Sequence, residues 1–82
     1  MILVDQAIWP HRGKRWAHLI SDSSYEELHQ FAENLGLTRN MFQNDHYDIH
    51  RELRERAIAL GAEPVDFRVL ARALRRAGLR AR

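Results

Sequence analysis

The chain has no cysteine, only two prolines and four glycines, and no apolar run long enough to cross a bilayer. Without cysteine there is no disulfide framework, thiolate nucleophile, zinc ribbon or iron–sulfur cluster, and a cytoplasmic location fits. The start, Met1-Ile2-Leu3-Val4-Asp5, lacks a basic region and reaches a charge at Asp5. It predicts neither a signal peptide nor a membrane partner, so the mature chain is expected to begin at Met1. No internal repeat or low-complexity segment is present apart from an arginine bias at the end. With 45% hydrophobic and 29% charged residues, the composition is that of a globular domain, neither disordered nor fibrous.

Eighty-two residues make one domain, in which only about 60 to 65% of the unfolded surface can be buried. The net charge of +2 hides a division: residues 1–67 carry seven Arg or Lys against eleven acids, and residues 68–82 carry six Arg and no acid. Such an end can meet phosphate, an acidic partner or the acidic body itself, or complement a helix dipole.

Ile2 to Ile8 reads as a strand covered on both faces, interrupted by Asp5 and Gln6. Pro10 to Arg15 reads as a basic loop. In the alternation from Arg15 to Ile20, Trp16, His18 and Ile20 share one face of a second strand, with Ala17 and Leu19 on the other. Ser24 with Glu27 matches a capping box and opens a helix over 24–35, closed by Gly36. A short strand around Tyr47 precedes a helix from about Arg51 to Leu60. Pro64 to Phe67 reads as an edge strand and Phe67 to Ala77 as the last helix, with Gly78 releasing a frayed end. The fold class is therefore α/β, ordered ββαβαβα: a small mixed sheet of about four short strands and three helices. The domain spans 1–78 and the frayed basic end 79–82.

Four histidines stand beside acids, at His18, His29, His46 and His50. A carboxylate can orient an imidazole, raise its basicity or share a metal with it. If residues 45–49 are extended, His46 and Asp48 share one side and Tyr47 takes the other, a geometry that suits a metal pair or a general base with its orienting acid. Asp5 ends an apolar strand, where acids often face a ligand crevice; the bland reading is an ion pair with Arg12 or Arg15. His29 borders the apolar face of its helix and can point along the sheet. A lone histidine between large apolar residues, as His18 is, is more often a hydrogen-bonded core group than a ligand. Asp22 and His50 have ready roles at helix starts. No HExxH, EF-hand, Walker A or cysteine-based zinc spacing occurs, so a metal site has to be assembled from distant segments.

Taken together, Ile2-Leu3-Val4-Asp5, Trp16-Ala17-His18-Leu19, Glu27-Leu28-His29, Phe42-Gln43, Asp45-His46-Tyr47-Asp48 and Leu60-Gly61-Ala62 resemble a small bacterial and phage family known only as a domain of unknown function, DUF4031. The resemblance covers nearly the whole chain and implies no established activity, substrate or cofactor. His50 stands where it implies a Ser or Thr cap, and the arginine-rich end lies outside the shared segments.

Two readings follow. In the first, Asp5, His18, His29, His46 and Asp48 form a polar crevice, with or without a divalent metal, that binds or hydrolyses a phosphate-containing ligand, a nucleotide or nucleic acid. Arg12, Lys14 and Arg15 neutralise the phosphate, and Trp16, Gln43 and Tyr47 contact the ligand. In the second, the same residues are a structural network in a non-catalytic binding or assembly module, with homodimerisation through sheet edges.

Overall fold

The computed structural model describes residues 1–80. Three consecutive branched apolar residues, Ile2–Val4, form β1, buried on both faces. The strand ends there rather than at Ile8, because the Asp5 carboxylate enters the ladder where a main-chain carbonyl would stand. Trp9–His11 forms β2, and Lys14–Ser21 forms the long central β3. The expected basic loop is instead the two-residue turn of a β2–β3 hairpin, pairing Trp9 with Trp16, Pro10 with Arg15 and His11 with Lys14. Its turn residues Arg12 and Gly13 both have positive φ, 53° and 76°, as hairpin twist demands.

Helix α1 spans Tyr25–Asn34. Ser24 Oγ accepts the Glu27 N–H at 3.1 Å, the forward half of the expected capping box. The Glu27 side chain does not complete the box; it accepts the Ser21 hydroxyl instead. A turn of 3-10 helix at Arg39–Met41 leads into β4, Phe42–Gln43, which pairs with β5, His46–His50. Helix α2, Arg51–Ala59, is capped by His50, whose Nδ1 accepts the Leu53 N–H at 3.4 Å, so this histidine does the work of the Ser or Thr it replaces. Glu63–Pro64 forms β6, parallel to β1. Helix α3, Phe67–Arg76, is capped by Asp66, which accepts the Val69 N–H at 3.0 Å.

The sheet has six strands, two more than expected, in the order β4-β5-β3-β1-β6, with β2 paired to β3. The additional strands are β2 and β4, each too short and too polar to stand out as an apolar run. Both end strands of the order, β4 and β6, are two residues long.

Alternation along β3 and β5 divides the molecule into layers. Ala17, Leu19, Tyr47 and Ile49 face α1 and α2 in one core, with Leu28, Ala32 and Ala57. Ile20 faces α3 in a smaller core with Leu3, Leu70 and Leu74. On that second face α3 covers only part of the sheet; Trp16, His18, His46 and Asp48 occupy the remainder. Leu79 and Arg80, assigned by sequence to a frayed end, are engaged: Leu79 packs on the smaller core and its carbonyl accepts the Tyr25 hydroxyl. The rest of that expected end, residues 81 and 82, lies outside the described residues. Among the described residues no helix is long and apolar enough to cross a membrane.

Candidate metal centre

Asp5 sits opposite His18 in the gap that β1 and β2 leave along β3. Its carboxylate is fully buried and takes three hydrogen bonds: from the His18 main-chain N–H at 2.6 Å, from His18 Nδ1 at 2.7 Å and from Trp9 Nε1 at 3.2 Å. Its displaced carbonyl accepts Arg54 Nε from α2 at 2.7 Å. The partners that make burial tolerable are therefore an imidazole, an indole and main chain, not Arg12 or Arg15. With Nδ1 engaged by the Asp5 carboxylate, Nε2 is the ring nitrogen that His18 turns away from the pair.

The same arrangement recurs on β5. His46 Nδ1 lies 2.8 Å from Asp45 Oδ1, and Asp45 is itself gripped by Arg80, whose Nε donates at 2.8 Å and Nη2 at 3.3 Å. The Nε2 atoms of both histidines turn toward Asp48: His46 Nε2 lies 3.2 Å from Asp48 Oδ1 and His18 Nε2 lies 3.9 Å from it. The rings meet edge to face with centroids 5.0 Å apart. Trp9 and Phe67, the first residue of α3, pack around His18 at centroid distances of 5.3 and 5.8 Å and wall it from one side.

Charges in the cluster reinforce one another. Burial pushes the His46 pKa down, but hydrogen bonds to Asp48 and Asp45 outweigh it, and the pKa lies above the ordinary 6.5. The His46 hydrogen bond holds the Asp48 carboxyl below its usual range despite burial. For Asp45, burial pushes upward, and the Arg80 and His46 hydrogen bonds more than reverse it.

One donor atom from each of His18, His46 and Asp48 lies within 4.8 Å of the other two. Donors around a cation at about 2.1 Å sit about 3.0 to 3.4 Å apart, so the triad closes on an ion by shifts of about an ångström. Two imidazoles and a carboxylate without thiolate suit Zn²⁺, Mn²⁺, Fe²⁺ or Co²⁺. The triad opens into a cleft of about 560 Å³ lined by Trp9, His11, Arg12, Trp16, Met41 and Gln43 beside His18 and Asp48.

Of the five residues expected in a crevice, the structure thus brings together Asp5, His18, His46 and Asp48. His29 is on the opposite face of the sheet, where its Nδ1 lies 2.7 Å from the Tyr47 hydroxyl and its ring packs on Phe42. Burial, then the Arg39 cation, lowers its pKa. Tyr47 is buried in the α1–α2 core with its hydroxyl on His29, outside the cleft. Among the expected ligand contacts, Arg12, Trp16 and Gln43 line the cleft, whereas Lys14 and Arg15 line a separate groove with His50 and Glu52. The sequence reading missed Asp45, Arg80, Arg54 and Phe67. Only Asp45 had a local signal, its place beside His46; the others act across long sequence separations.

No curated protein and no solved structure matches the chain. A family model described as a protein of unknown function, DUF4031, matches residues 2–77. The match includes the arginine-bearing α3, which the resemblance had placed outside the shared pattern. With nearly its whole length covered by that model, the chain belongs to the DUF4031 family.

Proposed function

We propose that this chain is a small metal-dependent phosphoesterase, in which His18 Nε2, His46 Nε2 and Asp48 hold a divalent cation beside a cleft that takes a nucleotide or nucleic acid. The observation that carries the reading is the doubled buttress: two imidazoles, each held through Nδ1 by a buried aspartate, turn Nε2 toward one carboxylate. Such partners fix the tautomer and ring orientation that a cation requires. The cation supplies Lewis acidity, polarising a phosphoryl oxygen and making a water more acidic.

In the hydrolysis the water oxygen bonds to phosphorus, the ester P–O bond breaks, and the water's proton ends on the leaving oxygen. His11, an imidazole on the cleft wall outside the triad, can carry that proton. Arg12 supplies positive charge for the phosphate, and the Trp9 and Trp16 rings offer faces to a base. The test is hydrolysis of a nitrophenyl phosphate diester by protein loaded with Mn²⁺ or Zn²⁺. Expected is turnover that a chelator abolishes and that Asp48→Asn lowers on the order of 100-fold. Turnover indifferent to both treatments would end the proposal.

A second reading has one observation in its favour: among the described residues every buried side-chain polar atom already has a hydrogen-bond partner. On that reading the cluster is a structural network in a binding module. His46→Gln separates the two. A network loses several degrees of melting temperature, whereas a site loses metal binding at little cost in stability.

A further inference from the structure

Helix α3 carries Arg68, Arg72, Arg75 and Arg76 and no acid. At about 100° per residue these four fall within about 100° of one another, a stripe about 12 Å long on the outer side of the helix. All four are exposed. Among the described residues the only arginines in ion pairs are Arg54 and Arg80, so the stripe is not consumed by the acidic body. Asp22 lines the groove beside Arg72 and Arg76 without reaching ion-pair distance. The apolar side of α3, Leu70 and Leu74, is sealed against Leu3 and Ile20, and the large apolar side chains the helix leaves exposed are Phe67 and Val69, a small area for a membrane surface.

The stripe begins one residue beyond Phe67, which packs on Trp9 and His18 at the cleft wall. The cleft holds both tryptophans of the chain. Their indole N–H groups are already committed, Trp9 to Asp5 and Trp16 to the His11 carbonyl, so what they offer a ligand is ring surface. A row of guanidinium groups outside any ion pair, starting beside the Phe67 that packs on an aromatic cleft, has the chemistry of single-strand recognition, backbone on arginine and unpaired bases on rings.

We infer that the ligand is a single-stranded nucleic acid, its backbone tracked by the α3 arginines and a base seated against Trp9 or Trp16. This rests on the cleft reading above but not on the metal: strand binding and metal binding use different side chains and are measured separately.

The experiment is fluorescence anisotropy of a labelled oligothymidylate over a range of salt concentrations, together with the intrinsic tryptophan emission, which reports the cleft alone. The wild-type chain is compared with a variant carrying Arg72→Ser, Arg75→Ser and Arg76→Ser, all on the exposed face and checked for folding by circular dichroism. Expected is salt-dependent binding that quenches tryptophan. The variant should lower the slope of log affinity against log salt by about 2, at about 0.7 per lost single-strand phosphate contact. Inorganic polyphosphate, which has no bases, should bind the stripe without quenching. The inference is overturned by an oligonucleotide that does not bind, by binding that leaves tryptophan emission or the variant's slope unchanged, or by anionic vesicles binding where the oligonucleotide does not. Any of these with metal binding intact leaves the metal centre standing, and oligonucleotide binding without metal binding removes the metal centre alone.

Discussion

Asp5 and His18 meet twice across the gap between β1 and β2: one carboxylate oxygen takes the His18 main-chain N–H at 2.6 Å and the other lies 2.7 Å from its Nδ1. One side chain thus closes the ladder and sets the tautomer of an imidazole that faces the cleft. Asp5→Asn leaves an acceptor at only one of the two carboxylate positions and sets an amide N–H₂ against either Nδ1 or the ladder N–H. We expect it to weaken Zn²⁺ binding by about 10- to 100-fold and to cost about 1–3 kcal/mol in urea unfolding. Unchanged affinity would detach Asp5 from the site.

Arg80 acts at one remove. It grips Asp45, which in turn holds His46, so any influence on the proposed cation is through position. Arg80→Ala should weaken metal binding, and Arg80→Lys should restore part of it, since lysine supplies charge without the two-pronged geometry. A loss of stability with unaltered metal affinity in both variants would assign Arg80 to the fold alone.

The opposite face supplies a control. His29, on α1, meets the Tyr47 hydroxyl, and burial holds its pKa below the ordinary 6.5. The unfolded chain therefore takes up a proton first as pH falls. The stability that neutral His29 confers is complete above pH 6.5 and declines as pH drops from there toward the folded-state pKa. Urea unfolding followed through that window should show a shallower decline in His29→Gln than in wild type. Tyr47→Phe should cost about 1 kcal/mol and leave metal binding untouched.

At the hairpin tip, the fold and the proposed ligand place opposite demands on one residue. Arg12 occupies left-handed backbone space at φ 53°, which asparagine tolerates better, yet its side chain lines the cleft. Arg12→Asn should raise stability by about 0.5 kcal/mol and weaken oligonucleotide binding. A loss of stability would mean that the side chain contributes more to the hairpin than its backbone strain removes.

How much of this was legible in the sequence depends on the range of the interaction. Alternation put Trp16 with His18, and His46 with Asp48 opposite Tyr47, because the side-chain period of a strand is a local property. It could not say which face of the sheet α1 would cover, so His29, read only as a border position on its helix, ended on the far side. The β2 strand was hidden by Pro10 and Gly13, which look like loop residues, and by an arginine in a turn position where asparagine or glycine is usual. Arg80 follows a helix-ending glycine and pairs with an aspartate 35 residues away, a relation with no local trace.

We propose one cation site, formed by His18, His46 and Asp48. Calorimetric titration of tag-free protein with Zn²⁺ and with Mn²⁺ tests it most directly. We expect one ion per chain, with binding lost in His46→Gln and Asp48→Asn while both variants keep near-native melting temperatures without metal. Absence of binding by either ion, or binding that survives both substitutions, would contradict it.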